Sequence, residues 1–402
     1  MIERRKLLNT SVAATATAAV GGDRVAKAAD HSTLTTKSSY NDVEPRGSSP
    51  SGRLERLPEL DMESRLDFAE GFRMWSLRDS GRKSFRRLTQ LLKEADIDPT
   101  KSPPIKALLK IIGDDPIIWT AMRCKTTVQQ VMWKNLIDGF HENKDGYLAE
   151  LKAAEVIGPG SLELNAKLDV PEYAKHEIHI QPGGYIGDPL AGYVYHYGVN
   201  VFTLDLHSED TFHRDLAGIV PIPEDGKADR ILDLGTGIAQ LPIALKERFP
   251  EADIWGIDVG APMLRYGHMR AVEMGLEVNL AQRLAEDTKF DDNSFDVITG
   301  YILFHEVPTQ DTRKILSEVR RILRPGGIFF PVDFKTYDQR PPTANSRLNQ
   351  WWDHVYNNEV WTEEYRDSNF GELMREAGLA VSEDAPTLNS NFWNGLMGIK
   401  KA

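Results

Sequence analysis

A single cysteine, Cys124, in 402 residues leaves the chain without a partner for an internal disulfide. It lies in a helical pattern, where a small half-buried side chain is expected rather than a nucleophile. No run approaches the ~18–20 consecutive apolar residues that a membrane-spanning helix needs, so no integral membrane span is expected. Basic charge is also short. Lys and Arg number 48 against 60 Asp and Glu, a formal net charge of −12, which argues against a broad nucleic-acid footprint. Internal repeats are absent. Histidines recur (His176, His179, His196, His207, His213), but none forms a helix-spaced pair with a carboxylate, and no metal site is expected.

What remains is ordinary globular composition, 41% hydrophobic and 27% charged, over more than one domain's length. Residues 1–29 hold paired Arg4 and Arg5, a weakly apolar run from Ser11 to Val20 and Ala26-Lys-Ala-Ala29. They resemble a twin-arginine leader; a disordered basic tail is the competing reading. Residues 30–57, rich in Ser, Thr, Gly and Pro, read as a disordered linker. Helical spacing then predicts a helical domain over 58–165, with helices at Met62–Ser80, Lys83–Ala95 and Ile105–Ile112. Asp115 and Pro116 start a long fourth helix reaching Phe140. From Glu155 the pattern becomes irregular, and 166–224 reads as an aromatic lid or connector. Its Tyr195, His196 and Tyr197 suit either a substrate pocket or packing between domains.

The chain is organised around Ile231-Leu-Asp-Leu-Gly-Thr-Gly-Ile-Ala-Gln240. A short apolar run too brief for a helix is followed by Gly235 and Gly237 and then by helical spacing. A glycine turn between a parallel strand and a helix brings bare backbone close to a ligand at the mouth of a doubly wound sheet. Asp233 beside the glycines suits a ligand carrying an ammonium better than a pyrophosphate. Asp258, 23 positions beyond Gly235, falls at the tip of the next strand, where a carboxylate can accept from both ribose hydroxyls. Strands are predicted at 231–234, 253–258, 278–282, 295–300, 328–334, 380–383 and 392–400, alternating with helices up to residue 323. This is an α/β pattern: a doubly wound, Rossmann-like, mostly parallel sheet with an antiparallel last strand, preceded by an α-helical N-terminal domain. An insertion at 335–368 carries Trp351 and Trp352, two further candidates for the substrate pocket.

With these motifs in place, the domain expected over 225–402 resembles, across roughly 231–334 and more loosely in its C-terminal tail, the class I S-adenosylmethionine-dependent methyltransferases of the small-molecule type 11/25 kind. Asp233-Leu-Gly-Thr-Gly-Ile-Ala239 is similar to that family's D-x-G-x-G-x-G motif, with Ala239 in place of the third glycine. Trp255-Gly-Ile-Asp258 resembles its ribose-binding segment. Ala285-Glu286-Asp287 with Phe290–Val297 resembles the stretch beside the adenine, although Leu284 stands where relatives carry an Asp. Tyr301–Glu306 and Arg320–Gly327 complete the likeness, which does not extend to 1–220. The resemblance implies S-adenosyl-L-methionine as cofactor, held by Asp233, Gly235, Thr236, Gly237, Asp258, Val259, Ala285, Glu286 and Tyr301. A small-molecule methyl acceptor is the implied partner. His305 and Glu306 follow the fourth strand and are the candidates for removing its proton, or for shaping its pocket. Two alternatives stay open, a NAD-dependent oxidoreductase and a catalytically silent nucleoside-binding module. Cytoplasmic action is expected, since that is where this cofactor is made, even though the leader points to export.

Overall fold

The computed structural model describes Leu57 and residues 59–203 and 210–401. The leader and almost all of the linker expected over 1–57 lie outside these residues, as does His207. Among the described residues no helix is long and apolar enough to cross a membrane.

The helical part begins with α1 (Leu60–Trp75), which runs through a π-turn into α2 (Gly81–Glu94). After α3 (Ile105–Ile112) comes the long α4 (Pro116–Glu142), then α5 (Lys144–Ala154). Helix α4 starts where the sequence places it. Asp115 caps it by accepting from the amides of Ile117 and Ile118, and Pro116 occupies the first turn, where no amide is required. Its stripe of Ala121, Val128, Met132 and Leu136 is buried, and Cys124 is half-buried.

Among the described residues, eight strands form one sheet in the order β1-β4-β3-β2-β5-β6-β8-β7. They are β1 (Ser161–Glu163), β2 (Arg230–Leu234), β3 (Asp253–Asp258), β4 (Asn279–Gln282), β5 (Phe295–Tyr301), β6 (Leu323–Val332), β7 (Leu379–Ser382) and β8 (Met397–Lys400). Pairings from β1 through β6 are parallel, and β8 runs antiparallel to both β6 and β7. The order reverses beside β2, and in such sheets the crevice outside the carboxyl ends of the strands at that reversal is where ligands bind. Strand β2 is fixed there because Ile231, Leu232 and Leu234 are fully buried, each such side chain contributing about 1.5–3 kcal/mol.

Two expectations over the middle of the chain are corrected. The segment read as irregular contains α6 (Ala191–Phe202) and α7 (Thr211–Ile219), and Ser161–Glu163 adds an edge strand paired with β4. The last strand is shorter than predicted. Gly395 takes a left-handed φ of 61° and breaks the 392–400 run, leaving a single bridge from Trp393 to Phe334 before β8.

Helices α8 (Gln240–Arg248), α9 (Ala261–Glu273) and α10 (Thr309–Ile322) flank the sheet. The insertion forms α11 (Ala344–Tyr356) and α12 (Thr362–Asp367), and α13 (Phe370–Glu376) leads into β7. Helical part and sheet share a core: Leu136, Phe140, Tyr193 and Tyr197 pack with Ile238, Met263 and Tyr266 of the sheet half.

Candidate functional site

The carboxyl edge of β2 turns at Gly235 and Gly237, with φ of 64° and 52°, in the left-handed region that glycine enters without strain. A side chain at Gly235 would place its Cβ 2.7 Å from Leu303 Cδ1, so the turn is capped closely by the segment after β5. Ala239 also takes a left-handed φ, 60°. At the third glycine position of the motif an L residue therefore bears left-handed strain. Thr236 is buried, and its amide donates to the Ile257 carbonyl at 3.0 Å, joining the turn to β3.

Two carboxylates stand at the tips of the adjacent strands. Asp233 is buried and accepts from the Thr299 hydroxyl at 2.7 Å. Burial pushes its carboxyl up to about 7, against the pull of that hydrogen bond. Asp258 accepts from the Gly237 amide at 2.9 Å through Oδ2 and from the Gly260 amide at 2.7 Å through Oδ1. Burial raises its carboxyl as well, while these backbone amides oppose the rise. Asp258 thus ties two loops together, a role that its spacing did not disclose. Val259 follows it, its carbonyl accepting from Gln282 Nε2 at 2.9 Å. Beyond β4, Leu284 and Asp287 close a tight bridge around Ala285 and Glu286. The Glu286 carboxylate accepts from the Tyr173 hydroxyl at 3.1 Å.

After β5 the chain makes a short 3-10 turn, Phe304–Glu306, that sets His305 and Glu306 side by side. His305 Nδ1 lies 2.8 Å from Oδ1 of Asp333, a fully buried residue just past β6. Burial alone would lower the imidazole, but Asp333 and Glu306 raise it to about 9. Glu306 Oε1 is 3.5 Å from His305 Nε2. Burial and the charge of Glu359 lift the Glu306 carboxyl to about 7. Glu359 reaches the same place from the loop after α11, and its Oε1 pairs with His179 Nδ1 at 2.7 Å. Asp333, Glu359 and His179 escaped the motif reading. Asp333 carries a strand-end signal of the same kind as Asp233 and Asp258, whereas the other two carry none.

Residues 231–327 match the family model described as a methyltransferase domain. This stretch is a methyltransferase domain. A demethylmenaquinone methyltransferase of Thermus thermophilus is 40% identical over 105 residues, 26% of this chain and 47% of that protein. A ubiquinone/menaquinone biosynthesis C-methyltransferase of Brucella anthropi is 32% identical over 127 residues, 31% of this chain and 47% of its own. The chain spans about half the length of the curated relatives it matches. Among solved structures, an O-methyltransferase family protein from Burkholderia thailandensis aligns with a TM-score of 0.41 at 16% identity, covering 51% of this chain and 60% of its own.

The aromatic residues expected to line a pocket beside the methyltransferase domain do not form one surface. Consecutive helical side chains diverge by about 100°, and Tyr195, His196 and Tyr197 sit together on α6. Tyr195 turns to Tyr185, ring centroids 5.3 Å apart, and Asp258 and Glu306 help burial raise its hydroxyl to about 12. His196 instead bonds the Tyr266 hydroxyl at 2.9 Å, and Tyr197 packs on Phe140. Trp351 and Trp352 are likewise packing residues. Trp352 donates to the Thr126 hydroxyl at 2.7 Å, and both rings contact Trp119. Their helix clamps the insertion onto α4. Tyr301, at the end of β5, sits among Phe212, His213 and Trp393.

Proposed function

We propose that the chain transfers a methyl group from S-adenosyl-L-methionine to a small-molecule acceptor. The observation that carries this is the pair of carboxylates, Asp233 buried and Asp258 half-buried, at adjacent strand tips around a left-handed glycine turn, within the stretch that matches a methyltransferase domain. The residues suit the cofactor's parts. A buried carboxylate raised by desolvation, as Asp233 is, gains from an ammonium partner. Bare backbone at Gly235 and Gly237 admits the methionine portion. Asp258, its geometry fixed by two glycine amides, keeps lone pairs for a ribose diol. Val259, Ala285 and Glu286 follow β3 and β4 along the same edge, toward the nucleoside, and Tyr301 lies on the other side of β2, at the end of β5.

When bound, the cofactor supplies a methyl group already activated by its sulfonium. The protein's part is then to align the acceptor in line with the methyl–sulfur bond and to exclude water. Tyr185 and Tyr195, half-buried and near enough to feel the charges of Asp258 and Glu306, are the aromatic groups suited to exclude that water. Glu306 is the group we assign to face the acceptor. His305, held by Asp333, positions it. An oxygen, nitrogen, sulfur or carbon nucleophile could serve as acceptor. The relatives named as demethylmenaquinone and ubiquinone/menaquinone methyltransferases match only 26% and 31% of this chain and do not choose among these.

The direct test is thermal denaturation with S-adenosylhomocysteine and, separately, with NAD. A ligand of the native state raises the melting temperature; a rise with NAD alone would overturn the assignment in favour of a dehydrogenase. Incubation with labelled cofactor and a metabolite extract, read by mass spectrometry, then identifies the acceptor. Cofactor bound without any methylated product would favour a silent binding module.

A further inference from the structure

His179, Glu306 and Glu359 come from three distant segments, the turn before α6, the turn after β5 and the loop after α11. They bring one ligand atom each to within 4.8 Å of one another. We infer that these three side chains form a binding site for a divalent transition cation beside the candidate active site. An imidazole with two carboxylates matches Mn²⁺ or Zn²⁺, since Mg²⁺ and Ca²⁺ favour all-oxygen sets.

A further feature points to a ligand rather than to a simple ion-pair network. Glu306 Oε2 is buried and has no hydrogen-bond partner. Leaving such an atom unmet costs more than any neutral polar group would, and a cation meets it. The backbone that carries the other two ligands is held in an uncommon shape: His179 and Ile180 both take left-handed φ, 54° and 53°, as does Asn358 next to Glu359, at 53°. Such a shape persists only where surrounding structure imposes it.

The imposing structure is visible. Gln129 Nε2 and Trp133 Nε1 of α4 both donate to the His179 carbonyl, at 2.6 and 2.8 Å. Asn358 Nδ2 donates to the Glu177 carbonyl at 3.0 Å, tying the Glu359 loop to the His179 turn. The Thr362 hydroxyl donates to Glu359 Oε2 at 2.9 Å; Oε1 is the oxygen that meets His179 Nδ1, at 2.7 Å, and a cation would replace the proton between them. Ligating carboxylates and histidines are commonly oriented by outer hydrogen bonds of this kind. With three protein ligands, the cation retains positions for an exogenous oxygen. Where the methyl-transfer reading holds, an acceptor hydroxyl or carbonyl fits there.

The test uses the purified full-length chain, treated with chelator and dialysed, then titrated calorimetrically with Mn²⁺ alone and with Zn²⁺ alone. Binding of one cation per chain is expected, together with nitrogen coupling from a single imidazole in the pulsed electron paramagnetic resonance spectrum of the Mn²⁺ form. Glu306→Gln should weaken binding by about 100-fold or more while S-adenosylhomocysteine still binds. No cation uptake by the native chain, the same affinity in Glu306→Gln, or a Mn²⁺ spectrum without nitrogen coupling would each overturn the site. Cation binding without any response to S-adenosylhomocysteine would uphold the site and overturn only the methyl-transfer reading. The native-chain spectrum needs no variant, so poor folding of Glu306→Gln leaves the question decidable.

Discussion

Asp333 holds His305 from two directions at once. Its Oδ1 lies 2.8 Å from the His305 ring, and its Oδ2 accepts from the Phe304 amide at 2.8 Å. One fully buried carboxylate therefore sets both the imidazole and the backbone turn that carries Glu306.

Asp333→Asn removes the charge while nearly keeping the shape. Breaking a buried pair in this way costs on the order of 3–5 kcal/mol. Chemical denaturation should show a lower midpoint with an unchanged slope, and methyl transfer should fall with it. An unaltered midpoint would mean that the pair does not support the turn.

The glycine turn and Asp258 answer to different variants. Gly235→Leu meets Leu303 and a left-handed backbone, so S-adenosylhomocysteine binding measured by calorimetry should be lost. Asp258→Ala frees two amides of their acceptor and costs about 1–3 kcal/mol for each one left buried. It should therefore lower the melting temperature as well as affinity. Unchanged binding in both variants would remove the cofactor assignment.

Asp233 makes affinity depend on pH. Its folded value of about 7 lies above the usual carboxylate value of about 3.9. As an acid with a raised value, it favours the folded state most at low pH, and that contribution is lost as pH rises from about 4 to about 7. An ammonium partner reverses the penalty. S-adenosylhomocysteine should bind more tightly as pH rises toward 7, by at most about tenfold per unit, with proton release on binding seen in buffers of different ionisation heat. Asp233→Asn should flatten that dependence. A flat native profile would show that Asp233 does not meet the ammonium.

Ala239 bears backbone strain that glycine would relieve. Ala239→Gly should raise stability by about 1 kcal/mol, since a left-handed L residue costs about 1–2 kcal/mol and glycine's added freedom in the unfolded chain returns part of it. The midpoint of urea unfolding measures this directly. A loss of stability would mean that the alanine methyl's packing outweighs the strain.

The sheet half is legible in sequence because its signals are local. Asp233 with its glycines and Asp258 at the next strand tip each lie within one strand and its turn, and the structure places them where the pattern puts them; Pro325, Gly326 and Gly327 instead fall inside β6, at its register shift against β5. The rest is settled by contacts across the chain. Nothing within ten residues of His179 or Glu359 announces that they meet, because 180 positions separate the two. Strand β1 has three residues between Gly160 and polar chain, too few for an alternating pattern. Helix α6 was hidden by the Gly and Pro residues just before it. Trp351 and Trp352 are aromatic whether they line a cavity or clamp a helix, and only Thr126 and Trp119 decide between the two.

Helix α11 belongs to the sheet half by position in the chain, but its Leu348 and Trp352 are buried with Leu88, Leu108, Ile118 and Met122 of the helical half. A cut near residue 225 would not yield two independent pieces. The C-terminal fragment would expose that apolar face, and the N-terminal fragment would lose the surface it folds against. Supplied as separate polypeptides, the two halves should stay in solution only when made together, each acting as the other's chaperone.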